Sequence, residues 1–387
     1  MKKTLLFISA VALAAVTGCQ KYEFNTDFSM PTELQAPPTV QLDVTSSETI
    51  VLSWNGGGAE DGGIVLYNVL FDKEGGDFSA PIATMQSDLG ARNTLTLTHA
   101  QVNTLARFSS SGATYGQCLF HFFLPIRGVK PNEAGSFIWT VSASKGGVTR
   151  TFDGSAELKV VRGEGIDNIP QTLFISGTAA LEEGQEFRAA ENGLFVIYTE
   201  IGSGTIKLTS EKNGGFTFYA DAEGKLNEGT GEYTVSEAPA TGLARITVNF
   251  NTLKFTMEPV GKSVRAIWGA TFTNISVLEY SGNGNFKGDG HIVLLGPGRE
   301  GTPSWCSWVE ERYYFIAQVN GGDACWGSTY AQATTPDGTE GFFDIAEYTW
   351  SQWEHLWKMD HALDLQDAEF TIYTNKDNKM THSIVKK

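Results

Sequence analysis

Short alternating runs dominate this chain. Val40-Gln41-Leu42-Asp43-Val44 and Ile50-Val51-Leu52-Ser53-Trp54 each put every second side chain on one face, the period of a half-buried strand. Residues 66–71, 94–98, 137–143 and 156–160 continue the pattern, and Asn55-Gly56-Gly57-Gly58 and Asp72-Lys73-Glu74-Gly75-Gly76 punctuate it as turns. The run 94–98 leads into one short helical stretch, 99–106. Strands of this length and spacing predict a two-sheet sandwich of immunoglobulin or fibronectin type over residues 38–162, with Trp54 and Trp139 in its core.

Gly163-Glu164-Gly165-Ile166-Asp167-Asn168-Ile169-Pro170 reads as a linker. A second β domain is expected over 170–261, closing with a tight hairpin from 246–250 and 253–257. A third, 262–387, repeats the opening of the second in pattern. Ala266-Ile267-Trp268-Gly269-Ala270 answers Phe174-Ile175-Ser176-Gly177-Thr178, and 313–317 answers 216–220. We read this as a weak tandem duplication whose last copy has an extra stretch, 297–309, and a long C-terminal segment. Helical signals are few and glycine is abundant, so the whole chain is predicted to be all-β, a series of tandem β-sandwich domains.

The N-terminus adds an address. Lys2 and Lys3 precede an apolar run, 5–16, too short to cross a bilayer as a helix. It ends in Val16-Thr17-Gly18-Cys19, which resembles a bacterial lipobox, where the Cys is acylated and becomes the mature N-terminus. The expectation is a lipoprotein signal over 1–19, acyl chains on Cys19 holding the protein at a membrane, and a proline-bearing tether over 20–37. The net charge of −16 repels nucleic acid and other polyanions and leaves neutral ligands. Beyond Cys19 three cysteines remain. Cys118, beside Leu119 and Phe120, reads as core, whereas Cys306 and Cys325 either pair as a disulfide or stay as two buried free thiols.

Composition shifts sharply in the last third, where seven of the nine tryptophans lie between Trp268 and Trp357. A β domain core rarely needs so many, and here they sit among Gly, Ser, Thr, Asp and Asn. Flat apolar faces beside short polar groups suit ligands that are apolar on one face and hydroxylated at the rim, as sugars are. The candidate residues are Trp305 and Trp308, after the loop that carries Arg299, and Trp326 with Asn320 and Asp323. A Trp-rich core is the competing reading for each. Trp350, Trp353 and Trp357 have spacing i, i+3, i+7, which predicts one helix face packed on the sheet, with Glu354, His355 and Lys358 outward. Enzyme signatures such as Gly-x-Ser-x-Gly, His-Glu-x-x-His and a phosphate loop are absent, and neither His355, Asp360 and His361 nor Asn283, Asn285 and Asp289 has an established metal-binding spacing. No catalytic residue, metal or cofactor is expected.

The lipobox, the tether, the strand-to-helix junction Leu95-Thr96-Leu97-Thr98-His99-Ala100, Trp139-Thr140-Val141, the phrase Ile197-Tyr198-Thr199-Glu200-Ile201-Gly202-Ser203-Gly204 and the 246–257 hairpin together resemble the SusE/SusF group. These are outer-membrane lipoproteins encoded in polysaccharide-utilisation loci. The resemblance covers residues 1 to about 260 and thins beyond 262. It implies a spacer domain followed by two carbohydrate-binding-like β domains that hold glycan without cleaving it, starch-like α-glucans for the founding members. It also implies an anchor in outer-membrane lipid through Cys19, display at the cell surface, and a SusC/SusD-like transport complex as neighbour. The segment 170–261 contains no Trp, which sets its binding role apart from that of 262–387. The ligand expected is a neutral polysaccharide or oligosaccharide. An adhesin or a structural subunit of an outer-membrane complex is the alternative, and a glycosidase the weaker one.

Overall fold

The computed structural model describes residues 25–108, 129–166, 169–332 and 340–387, so the signal, Cys19 and Cys118 lie outside the described residues. The architecture is all-β and multi-domain, built from sandwiched sheets. Contacts divide the chain into two compact units. One holds residues up to 42 and 47–162, the other 43–46 and 163–387.

In the first unit, β1 (Ser29–Gln35), β3 (Thr49–Gly58) and β6 (Thr94–Thr98) form one sheet. The other has the order β2 (Val40–Leu42), β9 (Ala156–Arg162), β7 (Ala134–Lys145), β4 (Leu66–Lys73) and β5 (Ala83–Gln86), with β8 (Val148–Thr151) on β7. The alternating residues meet between the sheets. Trp54 lies edge-on to Tyr67 at 5.5 Å and Phe71 edge-on to Phe137 at 5.9 Å, with Trp139 fully buried beside them. The predicted helix is present as α1 (His99–Phe108). It starts on a capping box: the Thr98 N–H donates to Gln101 Oε1 at 2.8 Å, and the Gln101 N–H returns to Thr98 Oγ1 at 3.2 Å.

The second unit opens with β10 (Phe174–Ser176), β11 (Arg188–Glu191), β12 (Leu194–Glu200), β13 (Gly204–Glu211), β14 (Gly214–Ala220), β15 (Leu226–Glu228), β16 (Tyr233–Val235) and β17 (Leu243–Asn249). One sheet runs β10-β13-β14-β15 with β16 on β13, and the second begins β11-β12-β17. Phe195, Phe218 and Phe250 fill the core they share. The hairpin expected at 246–257 joins β17 to β18 (Lys254–Trp268), a strand of 15 residues.

That long strand carries the chain onward. Its first part pairs β17; beyond residue 259 it pairs β19 (Asn274–Gly282) on one side and β21 (Arg312–Val319) on the other. It therefore runs through position 261, where the sequence pattern changes, and both segments belong to one compact unit. The sheet extends through β20 (Asn285–Ile292), β25 (Gln366–Lys376) and β26 (Lys379–Lys386) in one direction. In the other it extends through β22 (Gly322–Ser328) and β23 (Ile345–Tyr348), with β24 (Trp357–Lys358) also on β21. It curls until an isolated bridge between Asp344 and Thr381 ties its outer strands, and the core fills the concave side.

The pairings do not repeat those of the preceding segment. Ala266–Trp268 lies directly against Tyr313–Phe315, whereas the supposed counterpart Phe174–Ser176 pairs with Lys207–Thr209 and not with 216–220. The shared pattern reflects strand period rather than a repeated topology.

Candidate functional site

Strand alternation decides which tryptophans can meet a ligand. Along β22, Ala324, Trp326 and Ser328 point into the core. Trp326 is 1% exposed, edge-on to Tyr198 at 5.6 Å and to Phe286 at 6.2 Å. It offers no face to a sugar, which corrects its selection as a candidate. Trp357 is likewise core: β24 places it opposite Tyr313 and stacked on that ring at 5.6 Å.

Trp350 and Trp353 depart from the expected helix face. Residues 350–357 are not helical; the chain crosses the end of the strands in irregular conformation, with His355 at φ +59°. The His355 carbonyl accepts from the Ser328 N–H at 2.8 Å, its N–H donates to the Ala331 carbonyl at 3.0 Å, and its ring stacks on Tyr348 at 3.6 Å. Gly327 permits this approach, since a Cβ there would lie 2.4 Å from the His355 carbonyl oxygen. The crossing buries Trp357 and leaves Trp350 and Trp353 outside.

Trp305 and Trp308 occupy the 297–309 loop as a tilted pair, ring centres 5.8 Å apart. Together with Trp350, Trp353 and Phe272 they are exposed by 43–51%. Glu310 and Arg312, at the start of β21, link Trp308 to Trp353. Glu310, 1% exposed, accepts from the Trp308 indole N–H at 3.0 Å. It also accepts from the Arg312 backbone N–H at 3.0 Å and the Arg312 Nε–H at 2.6 Å, and pairs with the outer guanidinium nitrogen. The Arg312 guanidinium then lies 4.5 Å from the centre of the Trp353 ring. Burial works against ionisation of Glu310, but these donors outweigh it and hold its carboxyl below the usual glutamate range.

Between Trp308 and Trp353 lies an open groove of about 340 Å³, floored by Glu310, Glu311 and Arg312 and edged by Gln332 and Lys358. Glu311 is paired too, with Lys358 Nζ at 3.1 Å and with His361. Arg312 and Lys358 thus each face a carboxylate of their own, and among its described lining residues the groove is hydrogen-bonding without a free excess charge. It suits a neutral, hydroxyl-rich ligand that stacks on one or two rings.

The other sequence candidates are placed elsewhere. Arg299 is held by Asp364 through two contacts of 2.6 Å and donates to the Leu294 carbonyl at 2.9 Å, so it braces its loop. Asn320 is in the turn between β21 and β22 and Asp323 pairs with Gln318 beside it, six to eight residues along the strand from Arg312, roughly 20–26 Å at about 3.3 Å per residue. Asp323 there engages Gln318 and, at 3.8 Å, Arg265. Cys306 and Cys325 are free thiols. Cys306 Sγ donates to the Trp308 carbonyl at 3.3 Å, while Cys325 lies opposite Ile316 on β21 against the Ile267–Tyr314–Leu356 cluster, its thiol pushed up to about 11 by burial and by Asp323 and Glu347. His355, Asp360 and His361 serve three separate purposes, a ring stack, a cap on the Ala362 N–H and the Glu311 pair. Sequence reading missed Glu310, Glu311, Arg312, Gln332, Lys358 and Trp353. The available signal was Glu310-Glu311-Arg312, three successive charges leading into an apolar strand two residues after Trp308.

Residues 21–114 match the family model described as SusE outer membrane protein. The match covers β1, whose pairing with β3 in the first sandwich takes residues 29–35 out of the expected tether, and runs on into α1; over it the chain is SusE-like, as the strand-to-helix layout suggested. Comparisons with curated proteins and with solved structures gave no match. No described helix is long and apolar enough to cross a membrane.

Proposed function

We propose that this chain is a non-catalytic glycan-binding protein of the outer membrane and that its binding site is the groove between Trp308 and Trp353. The SusE-like segment supports a role at the outer membrane in polysaccharide utilisation. In this reading residues 38–162 are a spacer, 170–261 a connecting β segment, and 262–387 the part that holds ligand. Cys19 carries the lipid anchor, the ligand segment faces outward, and a SusC/SusD-like complex receives the captured glycan.

The observation that carries the reading is one buried ion pair holding two half-exposed indoles at the borders of one groove. The carbon-bonded hydrogens of a pyranose ring stack on Trp308 and Trp353, while Arg312, Lys358, Glu311 and Gln332 exchange hydrogen bonds with its hydroxyls. Covering roughly 100 Å² of one half-exposed indole, at about 25 cal/mol per Å², contributes roughly 2.5 kcal/mol, close to a hundredfold in affinity. Calorimetric titration of the full chain with a panel of neutral polysaccharides tests this. Saturable binding to at least one, reduced about tenfold or more by Trp308→Ala and by Trp353→Ala, is the expected result. Absence of binding across the panel by a chain with native circular dichroism would overturn it.

A further inference from the structure

The groove is part of a longer feature. On β21, Arg312 and Tyr314 share the outer face about 7 Å apart. Arg312 underlies Trp353, and the Tyr314 hydroxyl accepts from the Trp350 indole N–H at 3.2 Å. Trp350 in turn meets Phe272 at 5.8 Å. On the other side, Glu310 links Arg312 to Trp308, and Trp308 meets Trp305 at 5.8 Å. Five half-exposed rings therefore follow one another as Trp305, Trp308, Trp353, Trp350 and Phe272: the first two and the last two are in ring contact, Trp308 and Trp353 are bridged across the groove by Glu310 and Arg312, and Trp353 and Trp350 are three residues apart in the chain.

Resting on the glycan-binding reading above, we infer that this strip takes an internal stretch of an extended neutral polysaccharide laid across several rings, rather than a chain end or a single sugar. Three observations point there. Trp308 and Trp350 spend their only polar atom on protein acceptors, so what they present is ring face, which reads no particular hydroxyl or terminus. Rings continue past the groove on both sides, whereas a site for a chain end needs a wall. The charges beneath are internally paired, leaving no unpaired cation among the described residues of the groove for an oxidised or acidic terminus. Phe272 is held outward with φ +59°, a conformation uncommon for an aromatic residue, on a loop whose neighbour Gly269 donates its N–H to the Arg312 carbonyl at 2.8 Å.

The test is a calorimetric series on the full chain with neutral α-glucan, β-glucan and mannan oligosaccharides of increasing length, their reducing-end-blocked forms, and the parent polymers. Affinity should rise with each added sugar until the strip is covered, reach the polymer value per site, and be unchanged by end blocking. Trp350→Ala and Phe272→Asn, the latter compatible with the left-handed backbone, should each weaken long chains about tenfold and leave the shortest binding oligosaccharide unchanged. A disaccharide that binds as tightly as the polymer, loss of binding on end blocking, or equal losses for short and long chains would overturn the inference while leaving Trp308 and Trp353 as the binding site. No binding by any member of the series would remove the glycan-binding reading itself.

Discussion

Glu310→Ala removes the one group on which Trp308 and Arg312 both depend. The carboxylate is buried, and Arg312 keeps only 16% of its side chain exposed. Breaking a buried pair by deleting one partner costs about 3–5 kcal/mol, because the surviving charge is left uncompensated. Arg312 retains some water and the Trp353 ring face, which places the loss at the low end, about 3 kcal/mol. For a cooperative body of this size, about 2–4 °C per kcal/mol converts that to a fall of about 6–12 °C in the melting temperature. Calorimetric melting of the full chain reads it. Adding Arg312→Leu should recover more than half of the loss, since it removes the uncompensated charge as well, and a double-mutant cycle isolates the coupling. Glycan affinity should stay at least tenfold down in both variants, because Trp308 has lost its anchor. A single variant that melts within about 1 °C of the parent, or a double variant no more stable than the single, would refute the claim that this pair sets the indoles.

Two further predictions concern the scaffold beneath the site. His382 is buried between strands, its Nδ1–H donating to the Phe343 carbonyl at 3.0 Å and its Nε2 accepting from the Tyr313 hydroxyl at 2.8 Å, and burial pulls its pKa from 6.5 down to about 3. The unfolded chain takes up that proton as pH falls through about 6.5 and the folded chain does not. Stability is therefore fully present above that pH and declines below it, by roughly 2 kcal/mol at pH 5; urea unfolding at pH 7.5 and 5 should show this fall, and His382→Gln should flatten it, parallel curves being the contrary result. Gly327→Ala puts a Cβ 2.4 Å from the His355 carbonyl oxygen, so the crossing segment must lift at a cost of about 1–3 kcal/mol. Hydrogen exchange should rise at 350–357 and affinity should fall; unchanged exchange there would show that the crossing does not depend on this contact.

How much of this was legible in the sequence depends on whether the signal was local. The strands at 40–42, 49–58, 66–73, 94–98, 134–145 and 156–162 lay under clear period-two runs, and α1 followed where the 94–98 run ends, so both elements and core, Trp54 and Trp139 included, could be read directly. The loop position of Trp305 and Trp308 was legible for the same reason, from Gly, Pro and Ser around them. Trp326 was not, because its Asn-Gly-Gly-Asp neighbourhood marks a hairpin turn three residues away while alternation along β22 points its own ring inward. The spacing of Trp350, Trp353 and Trp357 fits a helix face equally well as text. What excludes the helix is tertiary: a two-residue pairing of Trp357 on β21, and a glycine on another strand that lets the chain lie flat. The binding groove is of this second kind. Its rings come from two loops far apart in sequence, and the reason they face one another is the short charged triplet Glu310-Glu311-Arg312, whose partners, Trp353, Lys358 and His361, lie more than forty positions further on. A pattern read along the chain finds the rings; only the fold brings them to the same ion pair, and that convergence, more than the number of tryptophans, is the argument for a site.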